Sequence, residues 1–461
     1  MEEFSLNKKF SENCETHLCK QREAGETEGL AERNACLQKM DAPLSFWQSL
    51  LLKYQLDYPD SISWNVPLLV KFGCNTDIAR LKKAVDTVLA THPVFSVIYL
   101  LKGDEPVQRY VPNKKFDTTV EEVTEAELET IKRGLVRPFE MLEKPLYRLR
   151  LFKTEKGEYL FCDFHHSIVD GVSRYIFFND ICDAYEGKPL KPDYYFAAMD
   201  YRQGLMHSSR FEEGRKYYDK LFEGYEKAMP PRLKIDMKPN DNPLGTIREM
   251  IPIAESFYEQ MQRVHGLNKN AFFIIVSCFV LSAYNEKDAA LLTWIHNGRH
   301  TFVEKSVFGF MYQCYPVGLC FDDTKTLSNL YREVKEQIHN NKHYSCFPYP
   351  GRELRPEEKG VANFNYLKDL KYLRDFAHKE GLSYTVSVLS ADVDQADNLL
   401  EIEVSDIDDG CFLELKYNAS AYKKESINRF KNMFMKTACL LMEHIENHEM
   451  KVMEIISAIR K

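Results

Sequence analysis

Apolar positions along the chain recur with two different periods, and the alternation between them marks an architecture of strands and helices. After Asn75, Thr76 and Asp77, any of which could cap, Ile78, Leu81, Val85, Val88 and Leu89 fall on one helical face, and Pro93 stops that helix. Leu327, Leu330, Val334 and Ile338 mark a second amphipathic helix. A third uses Ile427, Phe430, Phe434, Ala438, Leu441 and Ile445. Between such stretches the period is two, as in Phe412–Tyr417, where Leu413, Leu415 and Tyr417 share a face. The longest apolar run, Ala271 to Tyr284, has 14 residues with Asn270 and Asn285 beside it. It is shorter than the roughly 20 residues that cross a bilayer and predicts a buried helix.

Strands and helices alternate in both halves. Residues 228–245 concentrate four prolines without apolar period, which places a domain junction near residue 235. The expected organisation is a flexible leader at 1–40, perturbed at most by one helix from Glu26 to Met40, then one domain over 41–235 and another over 236–461. At 461 residues the chain exceeds what a single core usually serves. With 44% apolar residues, 29 Phe and 26 Tyr, it has ample core material. A formal charge of −8 argues against a nucleic-acid partner, which needs a basic face. No apolar segment follows the charged N-terminus, so the expectation is a cytoplasmic protein without a membrane partner. The twelve cysteines form no CxxC pair and no zinc spacing, so they are expected to be reduced core thiols.

The chemistry concentrates in Arg148–Gly187. Two alternating runs flank Thr154–Gly157, predicting a hairpin whose partners sum to about 311. This register sets Arg148 opposite Asp163, on a face with Tyr159, Phe161 and His165, while Leu160, Cys162, Phe164 and His166 project the other way. The adjacent histidines therefore face apart and cannot easily share a metal ion; no metal is expected. Ser167, Ile168, Val169, Asp170 and Gly171 lead into a helix whose inner face uses Ile176, Phe177, Ile181 and Ala184. A histidine at a strand end, with an ordinary pKa near 6.5, suits proton transfer near neutrality. Asp170 has two candidate jobs: capping that helix, or pairing with a cation and holding the loop that orients His166. No GxSxG elbow and no Walker or Rossmann glycine pattern accompanies them.

The segment His165–Gly171, HHSIVDG, resembles the HHxxxDG signature of the condensation domains of nonribosomal peptide synthetases, in the chloramphenicol acetyltransferase-like superfamily. The resemblance runs through residues 43–450 in the family's order. Ser45 and Gln48 in PLSFWQSLLL are similar to the opening SxAQ block, and His92 closes a helix similar to the one that ends in the His-rich block. Tyr194–Gln203 and Asn297–Val317 resemble two later blocks, the latter with Gly298, Arg299, Gly309 and Pro316 in place. The chain departs from the family in lacking arginines around His92, in having Gln313 where Asn is common, and in placing Gly318 in an arginine slot. No Trp of the epimerization type follows the motif, and no aspartate pair replaces the histidines, so ordinary condensation is the closer subtype.

What the resemblance implies is an α/β (α+β) fold of two acetyltransferase-like subdomains, joined as a pseudo-dimeric V with a tunnel at their interface. It implies a cytoplasmic acyltransferase that joins a carrier-bound acyl or aminoacyl thioester to an amine, soluble or carrier-bound, as an amide. The partners would be an acyl or peptidyl carrier protein, whose phosphopantetheine arm tethers the substrate; no covalent cofactor is expected, and the chain is expected to be a monomer. His166 would be the catalytic base, or would position the amine and the tetrahedral intermediate, with Asp170 and Gly171 completing the motif. His165 would pack structurally, and Arg299 or Arg148 would pair with Asp170. Two other readings are an ester-forming or coenzyme A-dependent acyltransferase, and a non-catalytic carrier-binding module.

Overall fold

The computed structural model describes residues 25–73, 75–224, 232–238, 243–348, 362–368, 376–379, 382–389, 399–407, 410–447 and 449–460. The chain forms two compact units. The first comprises Met1–Ser208, Asn297–Tyr312 and Lys371–Val393; the second comprises Ser209–His296, Gln313–Leu370 and Asp394–Lys461. The division therefore falls at Ser208/Ser209 rather than near 235, and two later segments return to the first unit. The proline-rich stretch that suggested the junction lies partly outside the described residues, at 228–231 and 239–242.

In the first unit, six strands run in the order Phe376–Lys379, Leu382–Val388, Asn65–Phe72, Gly157–His165, Tyr147–Thr154 and Val120–Glu122. Only the last pair is parallel. The hairpin pairs as its sequence predicts, with Arg148 opposite Asp163, but Thr154 pairs with Gly157, leaving a tighter two-residue turn. Gly157 has φ +141°, a conformation that glycine supplies at this turn. The strand Gly157–His165 is buried on both faces. Leu160, Cys162 and Phe164 pack with the helices Ile78–Thr91 and Gly171–Tyr185, while Tyr159 and Phe161 pack with Leu128 and Leu135 on the other side.

The helix Ile78–Thr91 starts where Asp77 accepts from the amides of Ala79 and Arg80, at 2.9 and 3.1 Å, and ends before Pro93. Residues 25–40 depart from the expected loose leader, whose first 24 residues lie outside the described ones. Gly25–Leu37 is helical, Arg33 pairs with Asp200, and the Asn34 carboxamide accepts from Ala197 N at 3.1 Å and donates to Asp193 O at 3.4 Å.

The second unit is a six-stranded mixed sheet in the order Gln313–Cys320, Ala289–His296, Ala362–Lys368, Leu400–Ile407, Gly410–Asn418 and Leu244–Met250. The apolar run of Ala271–Tyr284 lies in the helix Lys269–Asn285, where every residue from Ala271 to Ala283 is buried. The helices Leu327–His343 and Lys424–Glu443 bury the faces their periodicity marks, though Ile445 falls beyond the second helix's end. No single described helix is long and apolar enough to cross a membrane. Both units thus mix helices with sheets, as the α/β reading requires.

One buried ionic cluster ties the first unit together. His92 Nδ1 lies 2.7 Å from Asp193 Oδ2, and Nε2 lies 2.9 Å from Asp180 Oδ2. Asp193 Oδ2 also accepts from Phe308 N at 3.0 Å, so the cluster reaches the returning segment 297–312. Burial alone would lower the His92 pKa, but hydrogen bonds and charge from Asp180 and Asp193 overcome it and raise it from 6.5 to about 9. The ring is therefore an imidazolium at neutrality. Its folded pKa exceeds its unfolded one, so its stabilisation is full below pH 6.5 and fades as pH rises towards 9. Urea midpoints measured at pH 6 and pH 9 should show the protein weaker at pH 9, with His92→Gln flattening that difference. An equal pH dependence in the variant would show that another group controls it.

Candidate active site

The strand Gly157–His165 delivers the two histidines to one spot in different environments. Beyond His165 the chain takes a single 3-10 turn, His166–Ile168, and then enters the helix Gly171–Tyr185 at its N-cap, Asp170. His165 is fully buried, and its Nδ1 accepts from Ser167 N at 3.2 Å and faces Ser167 Oγ at 2.8 Å. Accepting at Nδ1 puts the proton on Nε2. Burial, then the charges of His166 and Arg148, push its pKa down to about 3, so His165 is a neutral structural group.

His166 is half-buried. Its backbone N–H donates to Trp64 O at 2.7 Å, while its ring Nδ1 has no hydrogen-bond partner among the described residues. Three rings surround the imidazole: Phe310 at 5.5 Å and Trp64 at 5.9 Å, both edge-on, and Tyr312 at 6.3 Å. A cavity of about 230 Å³ opens beside it, lined also by Asn65, Val169, Asp170 and Arg174. Burial lowers the His166 pKa below its ordinary 6.5; backbone hydrogen bonding and Asp170 oppose this, and the Arg174 charge adds to it. At neutral pH the ring is an uncharged base with a free nitrogen.

Asp170 both caps the helix and pairs with a cation. Its Oδ1 accepts from Ser173 N and Ser173 Oγ, each at 2.9 Å, capping the helix. Arg299 donates to the same carboxylate through both terminal nitrogens, at 2.7 Å to Oδ2 and 3.1 Å to Oδ1, and Met311 N adds a bond to Oδ2 at 3.0 Å. Burial would raise the Asp170 pKa, but Arg299 and the amides hold it below the usual carboxylate value. Gly171 is the first residue of that helix.

Arg299 has further partners in Asn297 O, Ser173 Oγ, Val307 O and Gly309 O, at 3.0 to 3.2 Å, while its buried Nε has none among the described residues. Arg148 pairs instead with Asp163 at 2.9 Å and stacks on Phe139. The returning segment is also held at Gly298, whose φ is +67° and where a Cβ would sit 1.7 Å from Met311 O. On the opposite side, Gln48 Nε2 donates to Ser167 O at 3.1 Å, and Tyr99 OH donates to the same carbonyl at 3.2 Å. The structure thus brings His166, Asp170 and Arg299 together and leaves Arg148 in a separate pair.

Sequence reasoning missed Trp64 and Tyr99, which carry no local signal, and it missed Arg174, Phe310 and Tyr312, although each lies inside a stretch it had singled out.

A family model for the condensation domain matches residues 38–458, and the chain belongs to that family. It is similar to bacitracin synthase 3 of Bacillus licheniformis, 22% identical over 420 residues that make up 86% of this chain and 6% of that protein. The chain therefore spans a small fraction of the length of the curated relatives it matches. Among solved structures, it resembles the condensation domain from the monacolin K polyketide synthase MokA, with TM-score 0.71 and 18% identity over 90% of this chain and 99% of that one. The starter condensation domain of rhizomide synthetase, an R148A mutant in complex with C8-CoA, gives TM-score 0.68 and 16% identity over 91% and 98%.

Replacing Arg299 by Ala strands a buried carboxylate and should cost about 3–5 kcal/mol in chemical denaturation. Arg299→Lys should recover only part of this, because an ammonium cannot fork across both oxygens. A loss under 1 kcal/mol for the Ala variant would refute the assignment.

Proposed function

We propose that this chain forms an amide bond at His166 between a thioester acyl donor and an amine. The observation that carries the proposal is the half-buried imidazole of His166, uncharged at neutrality, lining a cavity. The amine nitrogen attacks the thioester carbonyl, forming the C–N bond, and His166 accepts the proton released from nitrogen. Collapse of the tetrahedral intermediate breaks the C–S bond, and the proton passes to the departing thiolate sulfur. His165, Asp170 and Arg299 hold the loop rather than touch the reactants. Holding the two reactants side by side supplies a large further share of the rate.

The donor is an acyl or aminoacyl group on the phosphopantetheine arm of an acyl or peptidyl carrier protein. This donor class rests on the family and on its synthetase relatives. An acyl-coenzyme A donor is a second reading, favoured by the C8-CoA held by one structural neighbour. Acyl-loaded carrier and acyl-coenzyme A, each mixed with amino-acid and diamine acceptors and followed by mass spectrometry, separate the two.

His166→Ala should lower turnover by about 10² to 10⁴ while leaving the thermal midpoint close to wild type. Unchanged turnover would sink the proposal. Because burial lowers the pKa of the base, kcat/KM for the acyl donor, measured with the unprotonated amine held at one concentration at every pH, should rise through an acidic limb below pH 6.5 and lie flat above it. A limb centred above 7 would contradict an uncharged base.

A further inference from the structure

The turn that carries His166 is held through its next residue. Ser167 is completely buried in the 3-10 turn His166–Ile168, and all of its polar groups are engaged. Its N–H and Oγ meet His165 Nδ1 at 3.2 and 2.8 Å. Its carbonyl oxygen takes two donors from outside the histidine motif, Gln48 Nε2 at 3.1 Å and the Tyr99 hydroxyl at 3.2 Å, and both of those residues are completely buried as well. The Gln48 carboxamide has one workable orientation. Its Oε1 accepts from Ser45 N at 3.0 Å, and a flip would set that oxygen against the Ser167 carbonyl. Its Nε2 also lies 3.2 Å from Tyr99 OH and 3.3 Å from Tyr195 OH. Tyr195 donates in turn to Gln108 Oε1 at 2.6 Å, and Gln108 Nε2 donates to Pro43 O at 3.1 Å. Burial pushes the Tyr99 pKa far above its ordinary value, so its hydroxyl stays a donor throughout the neutral range. The His166 ring Nδ1, by contrast, has no hydrogen-bond partner among the described residues, and the ring takes its direction from the turn and from Trp64, Phe310 and Tyr312.

We propose that Gln48 and Tyr99 are positioning residues for His166: together they clamp the Ser167 carbonyl, so that the turn presents the imidazole to the reactants in one orientation. The inference rests on the amide-forming reading of His166 and assigns to that reaction two residues that touch no reactant. Neither of them lines the cavity beside His166. The Asp170–Arg299 pair fixes the far end of the same loop, and the clamp fixes its beginning. The two donors back each other up. With one removed, the carbonyl is still satisfied by the other; with both removed, a bare oxygen is left buried, which costs more than the two single losses together. The turn then shifts to find another donor, and a displacement of about 1 Å at a reacting group can lower a rate about a hundredfold.

Tyr99→Phe and Gln48→Met, made in the full chain, each remove one donor and nearly keep the side-chain volume. Tyr422→Phe is the control, because its hydroxyl is buried in the second unit and donates to Leu233 O at 3.0 Å. Each clamp variant should lower kcat for amide formation by about two- to fivefold, with KM for thioester and amine unchanged, whereas Tyr422→Phe should lose a similar amount of thermal stability and keep its kcat. The double variant should lose about a hundredfold in kcat, more than the product of the single losses. A second readout needs no turnover. The His166 ring titration, followed by NMR and assigned with His166→Gln, should move up towards 6.5 in the double variant, because a loosened turn admits water. A double variant whose kcat and His166 titration match those of Tyr422→Phe overturns the clamp. Should the double variant not fold, the single variants decide, and kcat values equal to that of Tyr422→Phe overturn it. If His166→Ala abolishes turnover while the double variant behaves as wild type, the reaction stands and the clamp is lost. If the double variant shifts the titration while His166→Ala leaves turnover unchanged, the clamp stands and the reaction is lost.

Discussion

The arrangement around His166 depends on one buried ion pair. The Asp170 carboxylate receives hydrogen bonds from its own helix, through Ser173, and from the returning segment, through Arg299 and Met311 N. Those partners lie more than a hundred residues apart in sequence, and the carboxylate fixes both at once. A buried pair of this kind is a weak source of net stability, because desolvation of the two charges offsets much of their attraction. What it supplies is geometry, since a planar guanidinium fork admits one coplanar carboxylate arrangement. Phe310 and Tyr312, which flank the imidazole, lie on the segment so fixed. If the pair were broken, the base would keep its strand but lose two of its walls.

Three histidines in the first unit show how surroundings set charge. His92, between two carboxylates, is held protonated, with its pKa raised to about 9. His165, buried with its Nδ1 already accepting from Ser167, is pushed to about 3 and stays neutral. His166, buried against aromatic rings near the Arg174 charge, also has a lowered pKa, yet it alone of the three combines a free ring nitrogen with a cavity. The first is a structural cation and the second a structural acceptor. Only the third lines a cavity.

Much of this was legible in the sequence, for physical reasons that also explain what was not. The hairpin register followed from period two and a short turn, and it gave the Arg148–Asp163 pair correctly because pairing across a hairpin is local. The helices at 78, 327 and 424 followed from stripes of apolar residues. The histidine motif identified the strand end. The choice between Arg148 and Arg299 was harder, since Arg299 reaches Asp170 only through a long-range return of chain that no local pattern encodes. The same return moved the division between units, because residues 297–312 lie far along the sequence yet belong with the first unit. Trp64 shows the limit: its position is set by the turn before the strand Asn65–Phe72, and its closeness to His166 becomes visible only once Asn65 is paired with His165.

The lowered pKa and the aromatic surroundings of His166 follow from a single arrangement. A base that must be uncharged at neutrality is obtained by withholding water, and rings withhold water without offering hydrogen bonds that would occupy the free nitrogen. The same rings present an apolar surface to whatever enters, so the groups that tune the base also select among substrates. Phe310 serves the first purpose, being almost completely buried beside the imidazole. Trp64 and Tyr312 contact the same imidazole. Enlarging the site for a polar acyl group would admit water and raise the His166 pKa towards its ordinary value. Donor preference and the protonation state of the base are therefore coupled, and a substitution that changes one should move the other.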